Sequence, residues 1–131
     1  MPHYIDGFVF PIARDHIAEY KVVAEAVAAI YQEHGAIDYL EYVGDDMHRQ
    51  CTRSFTDLVD SGEDETIVFG WVLFESREAR DLVNRKVEAD PRMEGLVAPL
   101  LDPSNLIFDA NRMAYGGFKS LVESSLSLIH I

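Results

Sequence analysis

Cysteine is all but missing. Cys51 stands alone in the chain, so no internal disulfide can hold the fold, and a reducing compartment is expected. Basic residues are scarce as well. Eleven Lys and Arg face 23 Asp and Glu, a formal net charge of −12. A surface of that average sign repels nucleic acid and anionic lipid. No basic cluster offsets it: Arg77, Arg80, Arg85 and Lys86 are mixed with Glu78, Asp81 and Glu88, the pattern of a solvated helix face. Neither nucleic acid nor membrane is expected as a partner. No apolar run reaches the about 18 residues of a membrane span. Met1-Pro2-His3-Tyr4 lacks the basic-then-apolar order of a signal peptide, and the expected location is the cytoplasm. H-x-x-H, C-x-x-C, EF-hand, G-x-G-x-x-G and Walker patterns are also absent, so no metal and no cofactor is expected.

What the chain does have is a stretch, Thr66 to Phe74, apolar at nearly every position and bounded by Glu65 and Glu75. A strand with one wet face alternates; this one reads as a central strand covered on both faces. Tyr4 to Phe10 is similar, with Tyr4, Phe8 and Phe10 on one parity and Ile5 and Val9 on the other. Pro11, which has no N–H for the ladder, is expected to end it. Ile17, Tyr20, Val23, Ala24, Val27, Ile30 and Tyr31 recur at helical spacing, and Gly35 follows as a good C′ residue. Ala36–Val43 is more mixed: Ile37, Tyr39, Glu41 and Val43 share one parity, Asp38, Leu40 and Tyr42 the other. That suits an edge strand.

The segment from Gly44 to Glu65 is acidic and irregular. Within it Gln50–Phe55 is expected to continue the hairpin and Thr56–Val59 to form a helical turn. Ser76 can cap a second helix with an inner stripe of Ala79, Leu82, Val83, Lys86 and Val87. Asp90-Pro91 begins a shorter helix, and Arg112–Phe118 is the last strand, with Gly116-Gly117 inside it.

The order strand, helix, strand, strand, helix, strand predicts an α+β, ferredoxin-like β-α-β-β-α-β domain with a four-stranded antiparallel sheet over residues 1–123. Residues 124–131 fit no element of this plan and read as a non-native or disordered tail without a function. The two helices cover one sheet face only. A second copy laid on the other face is the economical cover, so a homodimer is expected.

Several residues could carry chemistry. Asp6 lies inside a strand that should be buried and is a candidate general base; the plainer reading is a structural carboxylate with a partner such as Arg112. Asp45, Asp46 and His48 could ligate a metal, but their spacing matches no motif and reads as an acidic turn. His48 and Cys51 could pair as base and nucleophile, although nothing places them together. His48 thus joins Asp6 as a catalytic candidate. Tyr39, Trp71, Arg112 and Tyr115, with Tyr42, could line a pocket; aromatics at such positions also serve as plain core or dimer interface.

Asp6-Gly7-Phe8-Val9, Glu65 to Trp71, Arg80-Asp81-Leu82-Val83-Asn84, Asp90-Pro91-Arg92-Met93 and Arg112 to Phe118 together resemble the YbaA-like family, small bacterial proteins grouped as a domain of unknown function. The resemblance spans nearly the whole chain. It implies the dimeric α+β barrel superfamily, whose members include cofactor-free monooxygenases, small-molecule degradation enzymes and stress proteins, and it carries no catalytic motif over. Two functions follow as expectations. One is a dimeric small-molecule-binding protein or cofactor-free enzyme. The other is a non-enzymatic dimeric module in stress response or regulation. An interior filled by side chains would count against the first.

Overall fold

Four strands, β1 (Tyr4–Ala13), β2 (Asp38–Val43), β3 (Glu65–Phe74) and β4 (Ala114–Lys119), form one antiparallel sheet in the order β2-β3-β1-β4. The two strands that are apolar on both parities are the two in the middle, as their composition demands. The structure, a computed structural model, describes residues 2–124; apart from Ser124, the tail assigned above lies outside them. Helices α1 (Ile17–Glu33) and α3 (Arg77–Ala89) cross one face, with the short helices α2 (Phe55–Leu58) and α4 (Arg92–Val97) in the connections. The fold is the expected ferredoxin-like α+β arrangement.

Parity decides which side chains meet the helices. Phe10, Ile12, Val68, Val72 and Phe74 project to the helical face and pack with Ile30, Val83, Val87 and Leu100 in two adjoining clusters. Phe10, Ile12 and Phe74 are almost entirely buried. Local signals set the helix limits. Gly35 takes φ +120, which a residue with Cβ rarely adopts, and closes α1. Ser76 Oγ accepts the Ala79 N–H at 3.1 Å and opens α3.

Some boundaries differ from expectation. Pro11 remains inside β1, opposite Ile67. β4 pairs only with Tyr4–Val9, so β1 has a free edge from Phe10 onward, where a missing N–H is tolerated. Gln50–Phe55 does not extend the hairpin. Cys51 takes φ 66, which no strand admits, and Ser54 caps α2 while donating to the Met47 carbonyl at 2.9 Å. Arg112 lies in a short 3-10 turn before β4. On α3 the inner stripe is rotated from the expected one: Leu82 is 44% exposed, whereas the Arg80 side chain is only 19% exposed.

The opposite sheet face is covered at one end only. There Val9, Ile67 and Val59 cluster with Met47. Beyond them Phe69, Trp71, Tyr42 and Phe118 surround a shallow apolar hollow and its margin; Phe118 and Tyr42 are 58% and 56% exposed.

Candidate functional site

The polar residue of β2's inward parity marks the site. Tyr39 and Val43 flank Glu41 on that parity, and all three face α1 across a cavity of about 300 Å³. Its remaining walls include Ile17, Tyr20 and Ala24 from α1 and Val68 from β3. Room exists because Ala24 and Ala28 are small, and Gly70, opposite Glu41, lets the Glu41 side chain and the Phe8 ring lie close over β3. The Tyr20 hydroxyl donates to the Glu41 carboxylate, 2.9 Å from Oε2.

Electrostatics follow from that enclosure. Burial pushes the Glu41 carboxyl above its ordinary range, and the bond from Tyr20 offsets part of the rise. Burial first, and the Glu41 charge second, also hold the Tyr20 phenol far above its usual value. A raised carboxyl binds its proton more tightly in the folded state. Its contribution to stability is therefore fully present below the ordinary carboxylate range and declines as pH rises through it. Glu65 behaves oppositely. Two bonds from Arg112, at 2.6 and 2.8 Å, lead the causes that lower it to about 2. Its contribution is present at neutral pH and is lost as pH falls toward that value.

Asp6 is held elsewhere, between β1 and α3. It is 5% exposed and accepts a bond from Asn84 Nδ2 at 3.0 Å. Arg80 Nε lies 3.1 Å from Asp6 Oδ1 as an ion pair, without hydrogen-bond alignment. Arg80 also donates to the Tyr4 hydroxyl at 3.0 Å, sits 4.8 Å above the Tyr4 ring centroid and pairs with Asp81 at 2.9 Å. The partner is thus Arg80, not Arg112, which is committed to Glu65 and the Asp60 carbonyl. Burial, followed by the Asp6 carboxylate, raises the neighbouring Tyr115 phenol.

The remaining candidates are dispersed. Tyr39 is a cavity wall and packs on Tyr31 with ring centroids 5.4 Å apart. Trp71 faces the other way, stacked 5.6 Å from Tyr42. His48 and Cys51 are exposed in the loop before α2. Among the described residues no group of three His, Cys, Asp or Glu side chains is placed to hold a metal ion, and no helix is long and apolar enough to cross a membrane. Glu41 is not among the residues the sequence singles out: it shares parity with Ile37, Tyr39 and Val43, but the mixed pattern of an edge strand leaves it inconspicuous.

Comparison with known proteins fits this architecture. Residues 3–109 match the family described as "Protein of unknown function (DUF1428)". The chain is 33% identical over 120 residues to "Uncharacterized protein YbaA" of Escherichia coli (strain K12), covering 92% of this chain and 97% of that protein. A NIPSNAP family protein of unknown function from Agrobacterium tumefaciens superposes with TM-score 0.58 at 16% identity, over 95% of this chain and 94% of that one. Rv0793 from Mycobacterium tuberculosis does so with TM-score 0.53 at 16% identity, over 94% and 99%. The two solved structures speak to the fold alone. On its family match and its likeness to YbaA, the chain belongs to the DUF1428 family of proteins of unknown function.

Proposed function

We propose that this protein is a homodimer that binds a small molecule between α1 and the sheet, with Glu41 and Tyr20 as its polar anchor and as a pair able to exchange a proton with it. One observation carries the reading: a half-buried carboxyl group faces a largely apolar cavity, and the Tyr20 hydroxyl is its hydrogen-bond partner. Sites of this kind combine apolar walls with a few convergent polar groups. A carboxyl shifted toward neutrality is suited to general acid–base work. The cavity volume of about 300 Å³ sits at the small end of ligand sites and weighs against a purely structural module.

A thermal-shift panel of small hydroxylated and aromatic molecules tests the site. A ligand at a hundred times its Kd adds about 2.7 kcal/mol to stability, several degrees in Tm for a domain of this size. Glu41→Gln should abolish most of that shift, and Ala24→Trp, which fills the cavity, should abolish it entirely. Shifts that persist undiminished in both variants, or no shift from any compound in the wild type, would overturn the reading.

The dimer is supported by the open sheet face. An apolar surface bearing Phe69, Trp71, Tyr42 and Phe118 is the kind that monomers rarely leave wet. Light scattering at micromolar concentration should give twice the chain mass of 14.8 kDa, and Phe69→Asp should return it to the single-chain mass. A single-chain mass for the wild type would defeat the assignment.

A further inference from the structure

The cavity at Glu41 has a neighbour. A second one, of about 250 Å³, shares Tyr20, Ala24 and Tyr39 as walls and lies on the other side of α1, toward α4. Val27, Val97, Leu100, Leu101 and Phe108 complete most of its lining, and none of its lining residues carries a charge. Its only side-chain polar groups are the two tyrosine hydroxyls of the shared wall. One cavity therefore holds the Glu41 carboxyl and the exposed Lys21–Glu25 pair, while the other is apolar apart from the two tyrosine hydroxyls.

We propose that a single ligand occupies both: an aliphatic alcohol whose hydroxyl lies at Glu41 and whose unbranched tail passes beneath Ala24 into the second cavity. The inference rests on the ligand site proposed above. The head is a donor because the lone pairs of Glu41 are the acceptors available, Tyr20 already donating to them. It is neutral because the other two charged residues of the lining, Lys21 and Glu25, pair with each other at 3.8 Å, and a charge left without a partner there would be costly. A carboxylate head is disfavoured further because Glu25 and Glu41 outnumber Lys21 in the lining and the chain's net charge is −12. The tail is apolar because nothing in the second cavity could satisfy a polar group beyond the shared tyrosines. Ala24 is the smallest side chain of the shared wall, and so the place where a chain can pass.

Calorimetric titration of the full chain with the linear alcohols from 1-butanol to 1-octanol tests this. Affinity should rise about fourfold per added methylene, the equivalent of about 0.8 kcal/mol for each buried CH₂, until the second cavity is full. Butanoate and octanoate should bind at least tenfold more weakly than the matching alcohols. Leu101→Trp places bulk in the second cavity from a residue that is 46% exposed, so folding should survive. It should leave 1-butanol binding unchanged and remove the gain with chain length. Val97→Trp approaches the same space from α4 and should do likewise.

The outcomes separate the two levels. If 1-butanol binds and is weakened by Glu41→Gln, but affinity is flat with chain length or keeps rising in both tryptophan variants, the two-cavity ligand is wrong and the single site stands. If no alcohol binds while other compounds of the thermal-shift panel respond to Glu41→Gln, the ligand class is wrong. If nothing responds to Glu41→Gln, both fail.

Discussion

Asp6→Asn is expected to remove about 3–5 kcal/mol of folding stability, the scale seen when one member of a buried ion pair is deleted. Asparagine preserves the shape and can still meet Asn84, so the loss comes from the charge. Arg80 would stay in place, 19% exposed, with its main counter-ion gone. Asp81 and Tyr4 keep a hold on the guanidinium, which places the effect toward the lower end of that range. The complementary variant is Asp6→Leu combined with Arg80→Met. Replacing both charges by apolar groups of similar size is often neutral or better, so the double change should cost clearly less than the sum of its two single changes. Denaturant titrations of wild type, singles and double measure this. A loss within about 0.5 kcal/mol for Asp6→Asn, the range of surface sites, would mean that the Asp6–Arg80 pair contributes nothing.

The polar intruder in β1 was legible in the sequence; its partner was not. Asp6 stands out because Tyr4, Phe8 and Phe10 share its parity. Finding Arg80 and Asn84 requires knowing how α3 is rotated about its axis. In the run Arg77 to Glu88 the apolar residues mark the inner side through Ala79, Val83 and Val87, but the charges are mixed so evenly that none stands out as the one turned inward. Arg80 and Asn84 are four residues apart and hence on one face, a cue submerged in that mixture. The strand order was easier to read because burial on both faces leaves a two-parity apolar signature that only central positions explain. Glu41 shows the converse difficulty. On an edge strand a polar residue is unremarkable, and nothing in β2 itself announces that its inward parity closes a cavity against α1.

Gly70→Ala should be nearly as damaging to the fold and more damaging to the site. A Cβ there would lie 2.6 Å from the Leu40 carbonyl oxygen, 2.8 Å from Phe8 Cζ and 2.9 Å from Glu41 Cγ. The first neighbour is backbone of the paired strand and cannot turn aside, so β2 must move as a unit. Overpacking of this kind costs typically about 1–3 kcal/mol and occasionally more; with backbone as the obstacle, the upper end is expected. Ligand-induced thermal shifts should vanish together with the stability, because Glu41 moves with β2. Gly7→Ala is the control. Its nearest neighbour is the Phe118 ring at 3.2 Å, a side chain on the face assigned to the dimer and not backbone of a paired strand, so the loss, measured on the dimer, should be clearly smaller than at Gly70. Equal losses at the two glycines, with ligand response intact in both, would show that the Leu40–Glu41 backbone yields and that Gly70 does not fix where Glu41 stands.

The strand order also governs when the fold can first exist. β1 is made before either of its neighbours, β3 on one side and β4 on the other, and Tyr4 pairs with Lys119. Until β3 has been made, β1 presents two bare hydrogen-bonding edges, and Asp6 waits still longer for Arg80 and Asn84. Such distant pairing belongs to the slow end of folding, since the entropy of closing the chain must be met before the contacts form. A nascent chain therefore carries an unpaired apolar strand from the making of β1 until β3 and then β4 follow, an interval in which it is open to aggregation.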